Sequence, residues 1–148
     1  MPKVNVLAVC SGGGHLEQLL CIKDALGNNV SLCTTVKLNE SLGFNNVYNV
    51  IDCNKDRILD TIKCSFAIFK LVYTLKPKVI ISTGAAPGLL AILFGRMLGY
   101  KTIWIDSIAN AEKLSLSGRL AGKIAHTWLT QWPHLETKTG PKFWGNVL

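Results

Sequence analysis

The chain has 148 residues, 49% hydrophobic and 17% charged, with a formal net charge of +7 at pH 7; this is the length of one domain with ample apolar content for a core, which excludes a disordered chain. No apolar run reaches the ~18 residues that a bilayer-spanning helix needs: Ser65 to Leu75 is broken by Lys70, and Gly88 to Leu98 by Arg96. The pI near 9.3 asks for an acidic partner, but the basic residues form no block and are not interleaved with aromatics. That pattern argues against a dedicated nucleic-acid binder and fits a peripheral protein at an anionic membrane, with ordinary solubilising lysines as the alternative.

In chain order, the start at Met1-Pro2-Lys3 has no signal-peptide pattern, so the expected location is cytoplasmic, peripheral on the membrane. The first strand candidate is Val4 to Val9, followed by Ser11-Gly12-Gly13-Gly14-His15-Leu16-Glu17. The glycines allow a tight turn and close approach of a ligand, and the helix start behind them presents unpaired N–H groups and a partial positive charge. Such a turn suits a phosphate or sugar-phosphate, and His15 adds a group that exchanges a proton near neutral pH. A helix over Gly14 to Leu26 carries Leu16, Leu19, Leu20 and Leu26 on one side and stops at Gly27. Further strands are predicted at Val30 to Thr35, Val47 to Ile51, Val79 to Ser82, Lys101 to Ile105 and Thr127 to Thr130. Further helices are predicted at Asp56 to Leu75, Gly88 to Leu98 and Ser117 to Ala125, the last capped by Ser115 or Ser117.

Continuous apolar strands alternating with helices predict an α/β fold: a single Rossmann-like domain over the whole chain, with a doubly wound parallel sheet. Ligands bind such sheets beyond the carboxyl ends of the strands. The loops gathered there are the glycine turn, Ser82-Thr83-Gly84-Ala85-Ala86-Pro87-Gly88, Asp106-Ser107-Ile108-Ala109-Asn110-Ala111-Glu112, and Gln131-Trp132-Pro133-His134. The second loop is another candidate anion-binding turn.

The familiar alternatives do not match. G-x-G-x-x-G fails at Glu17, and no acid ends the second strand to hold a ribose. No G-K-[ST] follows the glycines, and there is no G-x-S-x-G elbow. The five cysteines, Cys10, Cys21, Cys33, Cys53 and Cys64, form no CxxC pair and read as small buried hydrophobes in a reducing compartment. The three histidines are far apart in sequence, so neither a metal nor a cofactor is expected.

The SGGGHLEQLL turn, the STGAAPG loop, Asp106-Ser-Ile-Ala-Asn followed by Leu114-Ser-Leu-Ser-Gly-Arg, the Gln131-Trp-Pro triplet and Phe143-Trp-Gly-Asn occur in the order seen in a known family. The chain resembles the acceptor and membrane-anchor subunit of the two-component glycosyltransferase that adds the second N-acetylglucosamine in the dolichol pathway. It is also similar to the short bacterial capsule and exopolysaccharide subunits and, more distantly, to the N-terminal half of the MurG-type transferase. The resemblance implies one half of a split GT-B enzyme. This half would bind a polyprenyl-pyrophosphate-linked sugar acceptor, and a donor-binding partner chain would complete a heterodimer and supply the UDP-sugar. A complete two-domain transferase needs roughly twice this length. Two departures stand out: the eukaryotic members begin with a membrane-spanning helix, absent here, and relatives often read Glu-Ser-x-Ala-Arg where this chain has Asp106 to Asn110.

On that resemblance the N–H groups of Gly12 to His15 and of Ala86 to Gly88 would hold the pyrophosphate, with Ser11, Thr83, Gly84, Ala85, Pro87, Ser107 and Glu112 completing the acceptor site. His15 is the candidate general base, with a phosphate contact or a packing role as alternatives, and Asp106 is the other candidate base. Glu17 suits the helix dipole. Trp132, Pro133, Phe143 and Trp144 are the candidate partner interface, because aromatics are enriched at interface hot spots, with core packing as the alternative. The helix bearing Phe66, Phe69 and Lys70, and the segment Gly88 to Leu98, would meet lipid or else pack on the sheet. A non-catalytic recruiter and a free-standing phosphate-metabolite enzyme are the competing readings.

Overall fold

The computed structural model describes residues 4–53 and 56–147. Seven strands, β1 (Val6–Cys10), β2 (Val30–Thr34), β3 (Val47–Asn49), β4 (Val79–Ser82), β5 (Lys101–Ile105), β6 (Thr127–Thr130) and β7 (Lys142–Phe143), form one sheet in the order β3-β2-β1-β4-β5-β6-β7. All six pairings are parallel, as the strand-helix alternation predicts. Four helices connect them: α1 (Gly14–Ile22), α2 (Ile58–Leu75), α3 (Ala85–Met97) and α4 (Leu116–Gly122).

Successive strand residues point to opposite faces, and the core divides accordingly. Leu7 and Val9 of β1, with Ile80 and Trp104, take Cys64, Ile68 and Val72 of α2, Ala91 and Ile92 of α3 and Ala121 of α4. Ala8 and Cys10, with Leu32 and Ile81, take Leu16 and Leu19 of α1. Fully burying each of the Val, Leu and Ile side chains among them contributes roughly 1.5–3 kcal/mol. Both faces of the sheet are thus covered, and chemistry is left to the loops at its carboxyl edge. The strand order reverses between β1 and β4, so the loops following these two strands flank the switch point.

Several expected boundaries are corrected. The last helix ends at Gly122 rather than Ala125, with Ser115 as its cap, Oγ accepting from the Gly118 N–H at 2.8 Å. The third helix begins at Ala85, three residues before Gly88, because Gly84 and Ala85 turn the chain through positive φ (144° and 73°). Pro87 therefore lies inside the first turn, where its missing N–H costs nothing. The two-residue β7 was not expected, and it puts Phe143 in the sheet edge. Helix α2 buries one side only: Ile58, Ile62, Phe66 and Tyr73 remain exposed on the other. Cys21 is exposed on α1 and does not fit the buried-cysteine expectation. Cys10 and Cys33 do fit it, and burial pushes both thiols up to about 12. Among the described residues no helix is long and apolar enough to cross a membrane.

Candidate functional site

The loops after β1 and β4 are locked together at the switch point. His15 Nδ1 lies 3.0 Å from the Thr83 carbonyl oxygen, and the Thr83 hydroxyl donates to the His15 carbonyl at 2.6 Å. A carbonyl only accepts, so Nδ1 carries the proton and the neutral ring has its basic lone pair on Nε2. The ring sits directly on Gly84: a Cβ there would be 2.3 Å from His15 Cε1 and Nδ1. Gly84 (φ 144°, ψ −179°) occupies a region essentially confined to glycine, and Ala85 at φ 73° is strained.

The glycine turn sorts into separate roles. A Cβ on Gly12 would strike Val36 Cγ2 at 2.0 Å, so Gly12 lets the loop after β2 pack against it. Gly13 takes φ 67° at the N-cap of α1, while Gly13 and Gly14 are exposed and Ser11 is half-buried. The unpaired first-turn N–H groups of α1 are those of Gly14, His15 and Leu16; Glu17 N–H already donates to the Gly13 carbonyl at 3.1 Å. On α3 the earlier start moves the open N–H groups to Ala85 and Ala86. Pro87 has none, and Gly88 is buried against Ser82, whose Oγ would be 1.9 Å from a Cβ. Gly88 thus serves helix–strand packing.

The opposite wall is the loop after β5. Asp106, 1% exposed, accepts from Trp104 Nε1 (3.2 Å), Asn110 Nδ2 (3.4 Å), Ser115 N–H (3.1 Å) and Ser115 Oγ (2.7 Å). A carboxylate with four donors on it ties this loop to the start of α4, a structural role that leaves little for proton abstraction. Gln18 and Gln131, both buried, bracket the same loop, and Trp132 Nε1 donates to the Ile108 carbonyl at 2.7 Å. Sequence reasoning named the loop of Gln131 and the turn containing Gln18 but gave neither glutamine a role. Their signal was a polar residue on the apolar side of α1, and another immediately beyond β6.

Between the walls lie two adjoining cavities. One, of about 430 Å³, is lined by residues including His15, Glu17, Gln18, Cys21 and Ser107. The other, of about 360 Å³, is lined by His15, Ala85, Ser107, Asn110, Ser115 and neighbours. His15, Ser107 and Ala109 are common to both. Glu112 is exposed and lines neither. Of the candidate interface residues, Trp132 and Phe143 are half-buried, Pro133 is exposed and Trp144 is 74% exposed. The Phe143 N–H donates to Glu136 Oε2 at 2.7 Å. Among the described residues no group of three His, Cys, Asp or Glu side chains could hold a metal.

The family model described as "Oligosaccharide biosynthesis protein Alg14 like" matches residues 35–147. Among curated proteins, the chain is 32% identical over 76 residues to the UDP-N-acetylglucosamine transferase subunit ALG14 of Rattus norvegicus, covering 47% of this chain and 35% of that one. It is 33% identical over 81 residues to the subunit of the same name from Yarrowia lipolytica, covering 50% and 38%. The matched stretch is thus little more than a third of these relatives' length. In fold it is similar to Acinetobacter baumannii MurG (TM-score 0.77, 14% identity, 99% of this chain and 46% of that chain). It is also similar to the UDP-N-acetylglucosamine 2-epimerase of Rickettsia bellii (TM-score 0.70, 10% identity, 98% and 45%).

Proposed function

Since the chain belongs to the Alg14-like oligosaccharide biosynthesis family, we propose that it is the acceptor-binding half of a two-component glycosyltransferase, its residues forming a single acceptor domain. A donor-binding partner chain presents a UDP-sugar, and the joint enzyme extends a polyprenyl-pyrophosphate-linked saccharide in surface-polysaccharide or glycoconjugate assembly. The observation that carries this reading is the latch at the switch point: two helix starts with open N–H groups, and between them a histidine whose basic nitrogen is fixed by the Thr83 carbonyl.

The chemistry follows from that geometry. The N–H groups of Gly14 to Leu16 and of Ala85 and Ala86 suit the negative charge of a pyrophosphate. His15 Nε2 accepts the proton of the acceptor hydroxyl as its oxygen attacks the anomeric carbon of the donor sugar. The anomeric carbon's bond to the UDP oxygen breaks, and UDP leaves with the electron pair. Asp106, fully engaged with its own donors, holds the wall facing His15.

Membrane contact is proposed for the outer face of α2. Ile58, Ile62, Phe66 and Tyr73, all more than half exposed, recur at helical spacing, with Lys63 and Lys70 exposed beside them. This is the composition of a face that lies on an anionic bilayer. Trp144 is proposed as the partner contact on the strength of its exposure.

The test is a transfer assay with a UDP-sugar panel and a polyprenyl-pyrophosphate sugar acceptor in membranes, using the chain alone and with its partner co-expressed. Transfer only with both chains is expected, and His15→Ala should lower the rate at least ~10-fold. Transfer by the chain alone would overturn the half-enzyme reading, and an unchanged rate for His15→Ala would remove the base. Acceptor binding without transfer under either condition would favour a non-catalytic recruiter.

A further inference from the structure

Around Ser107 the hydrogen-bond directions are fixed by backbone groups whose polarity is not in question. The Val147 N–H donates to Gln131 Oε1 at 3.1 Å, so the Gln131 amide nitrogen faces the other way. There it donates to the Asp106 carbonyl at 3.0 Å and to Gln18 at 2.6 Å. Gln18 must therefore present its oxygen to Gln131, and the Ile108 N–H, donating to that same Oε1 at 3.1 Å, requires this independently. The Gln18 amide nitrogen is left pointing at Ser107 Oγ, 3.1 Å away. The Ala109 N–H also donates to Ser107 Oγ, at 3.2 Å.

A serine hydroxyl has two acceptor sites and one proton. Both acceptor sites of Ser107 are taken, so its hydroxyl can only donate. Among the described residues nothing accepts that proton, although the residue is only 7% exposed. Ser107 also lines both cavities that contain His15. A buried donor without an acceptor is costly, and a bound oxygen would relieve it.

We propose that Ser107 is a fixed, donor-only contact to a phosphate or sugar oxygen of the acceptor, and that Gln18 and Gln131 are the positioning residues that set its direction. This rests on the acceptor-binding reading above and adds a polarity to it. His15 Nε2 accepts and Ser107 Oγ donates across one cavity, so the site asks for a ligand offering a hydroxyl proton to one wall and an oxygen lone pair to the other. Chains of hydrogen bonds with one fixed direction polarise one another and act as a unit.

The direction can be reversed without removing Ser107. Gln18→Glu has the same shape, and its carboxylate still accepts from the Ile108 N–H and from Gln131. It offers only acceptors to Ser107, however, so the serine proton turns inward. The experiment is calorimetric titration of the full chain with a short isoprenyl-pyrophosphate-linked N-acetylglucosamine, and with the same isoprenyl pyrophosphate lacking the sugar. Thermal midpoints serve as the check on folding.

Ser107→Ala and Gln18→Glu are each expected to weaken binding on the order of 10-fold. Their double variant should be no weaker than the weaker single one, because both remove the same donated proton. Ser107→Cys, a close isostere with a poor donor, should lose nearly as much as Ser107→Ala. Loss with both ligands assigns the oxygen to phosphate, and loss confined to the sugar-bearing ligand assigns it to the sugar; either supports the proposal. Wild-type affinity in Ser107→Ala and Ser107→Cys overturns the donor. Equal losses from Gln18→Glu with and without Ser107 overturn the relay, since simple charge repulsion acts in that way. If the wild-type chain binds neither ligand, the acceptor reading fails and this proposal with it, an outcome distinct from the other two.

Discussion

The two walls of the site are built on opposite terms. On the side of β1 and β4, the chain itself does the work: Gly13, Gly84 and Ala85 sit at positive φ, two helices begin, and one side chain, His15, bridges the loops. On the side of β5, residues 106–108 are held by side chains from elsewhere, namely Gln18 of α1, Gln131 and Trp132 after β6, and Ser115 at the cap of α4. The first wall offers open N–H groups and a basic ring nitrogen, whereas the second offers a single directed hydroxyl on a rigid support. Strain of order 1–3 kcal/mol at a residue such as Ala85 is tolerable only where neighbouring structure over-determines the backbone. The latch between His15 and Thr83 supplies that constraint.

The comparison is broken most severely on the rigid side. Asp106→Ala strands the Trp104 indole, the Ser115 N–H and the Ser115 hydroxyl at once, and should cost about 3 kcal/mol or more of stability, read from the urea midpoint. On the glycine side, Gly84→Ala both occupies the space of the His15 ring and puts a Cβ in a conformation reserved for glycine. It should destabilise by about 1–3 kcal/mol and lower transfer, read as kcat/KM, at least as far as His15→Ala. Trp132→Phe removes one donor to the Ile108 carbonyl and should cost about 1 kcal/mol while leaving partner capture intact. Trp144→Ala should do the reverse, staying within ~0.5 kcal/mol of wild type in stability and weakening partner capture in a pull-down. If Trp132→Phe loses the partner instead, that side chain belongs to the interface and not to the wall.

The smallest effect lies outside both walls. Desolvation, then the positive charges of Arg96 and Lys101, hold His126 below its ordinary value of 6.5. The unfolded chain then takes up a proton more readily than the folded one, so this contribution to stability is intact above the unfolded pKa and fades as pH falls below it. A His126→Gln variant should show a flatter decline of the urea midpoint between pH 7 and 5.

Much of this is legible in the sequence. The strands at Val79 to Ser82, Lys101 to Ile105 and Thr127 to Thr130 have the bounds read from their apolar runs, because both faces of a parallel sheet demand them. The loops following β1 and β4 were legible as a pair because glycine and small residues mark close approach. What escaped has physical causes. Pro87 reads as a helix start, but the turn at Gly84 and Ala85 begins the helix earlier. Two residues of β7 carry no periodicity. Nothing local to Trp132 announces that its indole donates to a carbonyl 24 residues away in sequence. The glutamine relay joins positions 18, 107, 131 and 147, and no local pattern announces a hydrogen-bond direction set over that span.

The most direct test of the central claim is nitrogen-15 NMR of the His15 ring in the full chain, before and after adding the isoprenyl-pyrophosphate-linked N-acetylglucosamine. In the neutral form of the ring the latch predicts the proton on Nδ1, with the Nε2 resonance alone shifting when the ligand arrives. A ring protonated on Nε2, or an Nε2 resonance indifferent to the ligand, would contradict the account.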